Sequence, residues 1–442
     1  MKRLLITQLL SWRDNVRRKP LILKGVRQAG KTHLLQEFGN TNYKQTHYIN
    51  CEKQESIKEI FENDLDPKRI LTDLQFSLQT KINIQEDLLI IDEIQACPRA
   101  LTSLKYFCEE LPELNLCSAG SLLGLHLNQG SYPVGKVDML HLYPMSFYEF
   151  LLGIGDEIAA GFISNFTLNT KITDTIHQQL WLRLKQYFIT GGLPEVVSVF
   201  SEYQENLYEA SISVRQKQEE LIKAYYADIA KHAGKINAMH IDRTWRSVPT
   251  QLSKTHDDGT KRFKFKDIIP NINRYSQLVN VIDWLESAEL LIKIPIIETI
   301  EMPLSAYAKN NLFKLFMFDT GILGAMSELG PKNILDQDYG TYKGYFAENF
   351  VAQQLQSIQK QRFYSWQKDR SEIEFLLQHE GSVIPIEVKS GKSTRAQSLQ
   401  KYIKKYSPEK TFVLSANKPN VNLKSGFYQL PLYLCEKILD LD

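Results

Sequence analysis

LILKGVRQAGKT, residues Leu21 to Thr32, runs an apolar strand straight into a loop bounded by Gly25 and Gly30 and closed by Lys31 and Thr32. The spacing G-x-x-x-x-G-K-[ST] is that of a phosphate-binding loop. Its glycines permit a tight path whose N–H groups wrap a phosphate, Lys31 reaches the β/γ-oxygens, and the Thr32 hydroxyl is placed to ligate Mg²⁺. A helix opening at Lys31 adds its positive N-terminal end. Gln28 and Ala29 in the loop and His33 just after it complete the predicted nucleotide-lining set. The plain alternative is a lysine-bearing glycine turn. An apolar strand before the loop and an amphipathic helix after it favour the phosphate reading.

Further strands alternate with helices, which implies a parallel sheet. THYINCE (46–52) reads as a strand, and residues 57–78 read as helices broken near Pro67. In DLLIIDEIQ, the apolar run Leu88 to Ile91 is a buried strand ending on Asp92 and Glu93. Ligands sit at the C-terminal ends of such strands. Asp92 is predicted to hold Mg²⁺, mostly through water, and Glu93 to orient and deprotonate the water that attacks the γ-phosphate. LNLCSAGS (114–121) supplies another strand, whose Ser121 or Ser118 either senses the γ-phosphate or is an ordinary turn serine.

The 442 residues are enough for two or three domains. With 53 basic against 51 acidic residues the net charge is +2, so a nucleic-acid surface would have to be a local patch. Five cysteines without a C-x-x-C pair fit reduced thiols, not a disulfide framework. No apolar run approaches a membrane span, and the N-terminal segment lacks a cleavage site. The expectation is a cytoplasmic protein without a membrane partner. Residues 2–18 have a helical period, read as packing against the first domain.

GVRQAGKT, LLIIDEIQ, SAGS and LYPMSFYEFL (142–151), followed by GGLPEVV (191–197), YYADIAK (225–231) and LFKLFMFDTGIL (312–323), resemble the bacterial and archaeal AAA-type ATPases that carry a conserved C-terminal domain of uncharacterised function. The resemblance spans almost the whole chain and implies ATP and Mg²⁺ as cofactors. Where that family has Gly-Arg before its Pro-x-Ser-Phe motif, this chain has Gly135 and Lys136. Lysine lacks the planar fork of an arginine finger, and Arg99 is another candidate.

Toward the C-terminus, residues 241–298 read as helix, polar loop with Lys261, Arg262, Lys264 and Lys266, helix and strand, an order that suits a winged helix. The second of these helices shows Asp283, Glu286 and Glu289 without Lys or Arg, the wrong sign for lying against phosphates. The helix-like run 342–355 carries the lone carboxylate Glu348, and two apolar strands follow with Glu374 on one and Glu387 and Lys389 on a single face of the other. This set resembles the PD-(D/E)XK nuclease fold. Glu348, Glu374 and Glu387 would supply hard oxygen ligands to Mg²⁺, and Lys389 would activate water near a phosphodiester. Glu374 stands where that pattern has Asp.

The predicted fold class is therefore α/β: a P-loop NTPase parallel sheet flanked by helices over residues 1–152, a helical and winged-helix-like region over 153–333, and an α/β nuclease-like domain over 334–442. Two functions fit. One is an Mg²⁺-dependent ATPase coupled to a nuclease-like module acting on DNA; the other is a nucleotide-controlled protein, with a protein partner or self-association, whose nuclease fold does not cleave.

Overall fold

Buried runs of apolar residues set the first sheet. The computed structural model describes residues 1–121, 133–258, 262–336, 343–358, 362–389 and 397–441. Lys261 and residues 342 and 390–392 of the predicted nuclease-like stretch lie outside the described residues. The chain divides into two units, Met1–Pro144 with Ser287–Glu289, and Met145–Glu286 with Leu290–Asp442.

In the first unit the elements are α1 (Ile6–Asp14), β1 (Leu21–Lys24), α2 (Lys31–Asn42), β2 (Thr46–Asn50), α3 (Glu55–Asn63), α4 (Pro67–Leu78), β3 (Leu88–Asp92), α5 (Pro98–Glu110), β4 (Asn115–Gly120) and β5 (Asp138–His141). The strands form a parallel sheet in the order β2-β3-β4-β1-β5. β3 is buried along its whole length, as a central parallel strand must be. Ile49, Leu89, Ile91 and Leu116 of the sheet pack with Phe61, Ile70, Leu74, Leu104 and Phe107 of the helices. Local signals set the helix starts: Pro67 occupies the first turn of α4 and the Asp66 side chain accepts from the N–H groups of Lys68 and Arg69.

The second unit opens on α6 (Phe147–Gly153), where Ser146 and Glu149 form a capping box. Phe147 and Phe150 are fully buried and meet Tyr187 edge-on. Helices α7 (Glu157–Ser164), α8 (Asp174–Thr190), α9 (Pro194–Glu202), α10 (Leu207–Ala233), α11 (Lys235–Asp258) and α12 (Tyr275–Ser287) follow. Next come β6 (Leu291–Ile297), β7 (Phe313–Met317), α13 (Thr320–Met326), α14 (Pro331–Asp336) and α15 (Lys343–Ile358). The chain then runs through β8 (Tyr364–Lys368), β9 (Ser371–His379), β10 (Ser382–Val388), α16 (Gln397–Tyr406), β11 (Thr411–Ser415), β12 (Asn420–Asn422) and β13 (Phe427–Pro431).

Those strands make an eight-stranded sheet, β12-β13-β11-β10-β9-β8-β6-β7, which draws on both sides of residue 334. β8, β9 and β10 are antiparallel neighbours, and β11 runs parallel to β10. Glu374 of β9 is buried like its neighbours Ile373 and Phe375. Apolar packing covers both sides of the sheet there, so alternation in sequence does not become alternation in exposure.

One hydrogen-bond hub explains two motifs. Asp319 Oδ1 accepts from the N–H of Ile322 at 3.0 Å and Oδ2 from that of Gly192 at 2.6 Å. A Cβ on Gly191 would lie 2.2 Å from Asp319 Oδ1, and its φ is +73°, so only glycine fits the turn that ends α8. The GGLP and DTG segments are thus two halves of one contact.

Candidate functional site

Because β1, β3 and β4 run parallel and adjacent in the order β3-β4-β1, their C-terminal ends share one edge. That edge gathers Gly25, Asp92 with Glu93, and Ser121. Gln28 at φ +66° and Gly30 at φ +92° turn the loop into α2. Ala29 is buried and Gln28 is exposed. Lys31 is nearly buried, and its Nζ donates to the carbonyls of Gly25 at 2.8 Å and Val26 at 2.9 Å. Burial pulls its pKa below the ordinary lysine value, against the carboxylates of Glu93, Glu289 and Asp92. A phosphate in the loop would add an anion beside this buried cation.

The Thr32 hydroxyl donates to Asp92 Oδ2 at 2.8 Å. Two predicted Mg²⁺ ligands, from a loop and a strand sixty residues apart, therefore meet, and their oxygens are the hard donors that Mg²⁺ takes. Glu93 follows at φ +49°, half-buried, with its N–H on Asp92 Oδ1 at 3.0 Å. Ser121 is buried just past β4. Ser118 is not at this edge: its hydroxyl donates to the Leu21 carbonyl at 3.0 Å inside the sheet. His33 is exposed, 3.6 Å from Glu37 on the next turn of α2. Of the arginine-finger candidates, Arg99 donates to the Phe61 carbonyl at 2.8 Å, and Lys136 pairs with Glu109 at 3.0 Å.

Two neighbours of this edge escaped the sequence reading. Tyr48 of β2 donates its hydroxyl to Asp92 Oδ2 at 2.8 Å. Burial, with help from Asp92, pushes that phenol up to about 12, so it stays a donor. Arg3 donates to the carbonyl of Ala29 at 2.8 Å and to that of Tyr143 at 2.5 Å. A leading segment read as plain packing therefore holds the phosphate loop. Only the proximity of β2 to β3 would have hinted at Tyr48, and nothing local marks Arg3.

In the second unit, Glu374 and Glu387 converge between β9 and β10. Glu374 Oε2 accepts from the Val388 N–H at 3.1 Å, and Lys389 Nζ lies 2.5 Å from Glu387 Oε1. Burial and the neighbouring Glu374 carboxylate push Glu387 up to about 8, against the pull of Lys389. Glu387 Oε2 is sealed from water and, among the described residues, has no hydrogen-bond donor. Two hard oxygen donors with one orphaned lone-pair atom fit a divalent cation. The expected third ligand does not join them: among the described residues no three His, Cys, Asp or Glu side chains group as metal ligands. Glu348 of α15 instead lies 3.8 Å from the buried Nζ of Lys314, which also pairs with Glu372. A buried lysine needs a carboxylate, and α15 offers Glu348 to Lys314 of β7.

Residues 17–151 match the AAA domain family, AAA_14. The matched stretch takes in the phosphate loop and all five strands of the parallel sheet. Residues 182–333 match one domain of unknown function, DUF8612, and residues 343–435 another, DUF4143. No protein of curated function matches the chain. Among solved structures, the Walker-type ATPase PABY2304 of Pyrococcus abyssi is 16% identical with a TM-score of 0.45, over 74% of this chain and 95% of that one. The Holliday junction branch migration motor RuvB of Thermotoga maritima is 14% identical with a TM-score of 0.33, over 67% and 90%. Among the described residues no helix is long and apolar enough to cross a membrane.

Proposed function

We propose that the protein is a cytoplasmic Mg²⁺-dependent ATPase whose nucleotide cycle controls a nuclease-like module acting on DNA. The Thr32–Asp92 contact beside Lys31 carries the first half of this reading. Thr32 and Asp92 would hold Mg²⁺, which offsets phosphate charge. Lys31 and the N–H groups of the loop would bind the β- and γ-phosphates, Ser121 would report on the γ-phosphate, and Glu93 would take the proton of the attacking water.

Support for the second half is the buried Glu374–Glu387 pair with Lys389 beside it. The order α15, three antiparallel strands, α16 and a parallel strand is what a PD-(D/E)XK fold requires. Glu374 and Glu387 would hold the divalent ion, which supplies an activated water, while Lys389 offsets charge on a phosphodiester. Helices α10 to α12 followed by the β6–β7 hairpin have the order of a winged helix. The acidic positions Asp283 and Glu286 pair with Lys293 of β6 at 3.4 Å and 3.2 Å.

A second reading is favoured by Glu348, which is engaged with Lys314. In it the nuclease fold is retained for a protein partner or self-association, and DNA is not cut. Nicking of supercoiled, linear and branched DNA with Mg²⁺ or Mn²⁺, with and without ATP, separates the two. Metal-dependent nicking lost in Glu387→Gln is expected. If no substrate is cut under any of these conditions while ATP is hydrolysed, the second reading replaces the first.

A further inference from the structure

Of the acidic residues Asp283, Glu286 and Glu289, only Glu289 belongs to the first unit. Helix α12 ends at Ser287, β6 begins at Leu291, and Ser287–Glu289 lies in the turn between them. Glu289 has φ +62°. A left-handed residue just past a helix end is usually glycine, because a Cβ is strained there. Such strain persists where the side chain has a partner to reach.

The Glu289 side chain reaches the edge from which the phosphate loop departs. Lys24 and His141 are register partners and the last residues of β1 and β5. The Glu289 carboxylate bridges them, with Oε1 3.2 Å from Lys24 Nζ and Oε2 2.7 Å from His141 Nε2. Gly25, the first residue of the loop, follows Lys24 directly. Burial alone would raise the Glu289 pKa, but His141 and Lys24 outweigh it and hold the group below the ordinary carboxylate range. It is therefore an anion at neutral pH. Its charge also reaches the loop lysine: burial lowers the Lys31 pKa, and among the carboxylates that oppose this, Glu289 stands after Glu93 and ahead of Asp92.

The nucleotide reading, on which this inference rests, brings a polyanion to Lys31 and the N–H groups of the loop. A carboxylate acting on the same lysine repels that polyanion, and buried charges are screened by salt much less than exposed ones. Coupling between two sites is reciprocal: whatever affinity Glu289 takes from the nucleotide, bound nucleotide takes from the seating of Glu289. We propose that Glu289 competes with the phosphates of ATP for the positive charge of Lys24 and Lys31, so that ATP loosens the turn 287–289 from the end of β1 and β5. Glu289 is in this sense a positioning residue that acts through charge.

Titration of the full chain with fluorescent ATP, together with amide hydrogen exchange, tests this. Glu289→Gln removes the charge at nearly constant size. It should bind ATP about tenfold more tightly, the effect of one unit charge about 10 Å away at an effective dielectric constant of about 20. Loss of a merely structural contact would weaken binding instead. Glu289→Asp keeps the charge and should bind ATP like the wild type. Saturating ATP should speed amide exchange at residues 287–290 of the wild type, a measurement that needs no variant, and in Glu289→Gln exchange there should be fast with or without ATP. ATP binding by folded Glu289→Gln that is equal to or weaker than that of the wild type overturns the proposal. So does Glu289→Asp binding as tightly as Glu289→Gln, or exchange at 287–290 of the wild type that ATP leaves unchanged or slows. A wild type that binds no ATP overturns the nucleotide reading itself, a result distinct from ATP binding that is indifferent to Glu289.

Discussion

Replacing Gly25 by alanine tests whether the path of the phosphate loop is fixed by its surroundings. A Cβ there would lie 2.3 Å from the Leu142 carbonyl oxygen and 3.2 Å from its carbon. Both are backbone atoms, so no side chain can rotate aside, and reaching ordinary contact requires a shift of about 1 Å. The Leu142 N–H is itself bonded to the Lys24 carbonyl at 2.8 Å, so movement on either side strains the junction of β1 and the loop. Overpacking of this kind costs about 1–3 kcal/mol. For a unit of this size each kcal/mol lowers the melting temperature by about 3 °C, so the first unit should melt roughly 3–9 °C lower. The loop N–H groups move with Gly25, and a displacement of about 1 Å is enough to slow hydrolysis about 10²-fold. Scanning calorimetry and an Mg²⁺-ATPase assay read the two effects. Gly161→Ala is the control: no heavy atom lies within 4 Å of its Cβ position in α7, and it should be neutral or stabilise by about 0.5–1 kcal/mol. A Gly25→Ala protein that melts and turns over like the wild type would refute the steric argument.

Glu93→Gln should leave nucleotide binding intact and slow hydrolysis about 10²-fold or more, and unchanged turnover in a single-cycle assay would remove Glu93 from its role. Arg3→Met takes away the donor to the Ala29 carbonyl and should weaken nucleotide binding by about threefold to tenfold, measured by fluorescent-nucleotide titration; equal affinity would make Arg3 a packing residue. Burial raises Asp319 from 3.8 to about 6. The unfolded chain therefore releases this proton first, and the contribution of Asp319 to stability, full below pH 3.8, falls until about pH 6. Relative to Asp319→Asn, the wild type should lose about 2 kcal/mol between pH 4 and pH 7, followed by urea unfolding at each pH, and a constant difference would contradict the shift.

What was legible in the sequence was what is local. GVRQAGKT is contiguous, and its strand, turn and helix are neighbours in the chain, so the course of the loop could be read directly. Asp92 and Glu93 were legible because a wholly apolar strand has to end at a sheet edge. Arg3 was not, since its acceptor on Ala29 is twenty-six residues away and a helical period says nothing of which carbonyl a side chain reaches. Glu348 failed for the same reason in reverse. Its helical face was readable, but its partner Lys314 comes from β7, thirty-four residues upstream, and only the assembled sheet brings them together. The segments GGLP and DTG were legible as motifs and opaque as a pair until Asp319 was found on the N–H of Gly192.

The departure at Glu374 has a physical use that the spacing did not reveal. The side chain crosses from β9 to accept the N–H of Val388, the residue between Glu387 and Lys389. An aspartate at the same position is one methylene shorter, so the longer acid has more reach across the sheet. By taking that N–H, Glu374 ties its strand to the middle of the Glu-x-Lys segment. It thereby holds its own carboxylate near that of Glu387, and this neighbouring charge, after burial, keeps the Glu387 pKa raised. The extra methylene thus gives this chain a way to set two carboxylates side by side with backbone as the spacer. The same contact serves either proposed function: it positions a ligand pair for a divalent cation, and it pins β9 to β10 in a fold kept for assembly. The distinction between them therefore lies in whether Glu387 Oε2 meets a cation, not in whether the pair is formed.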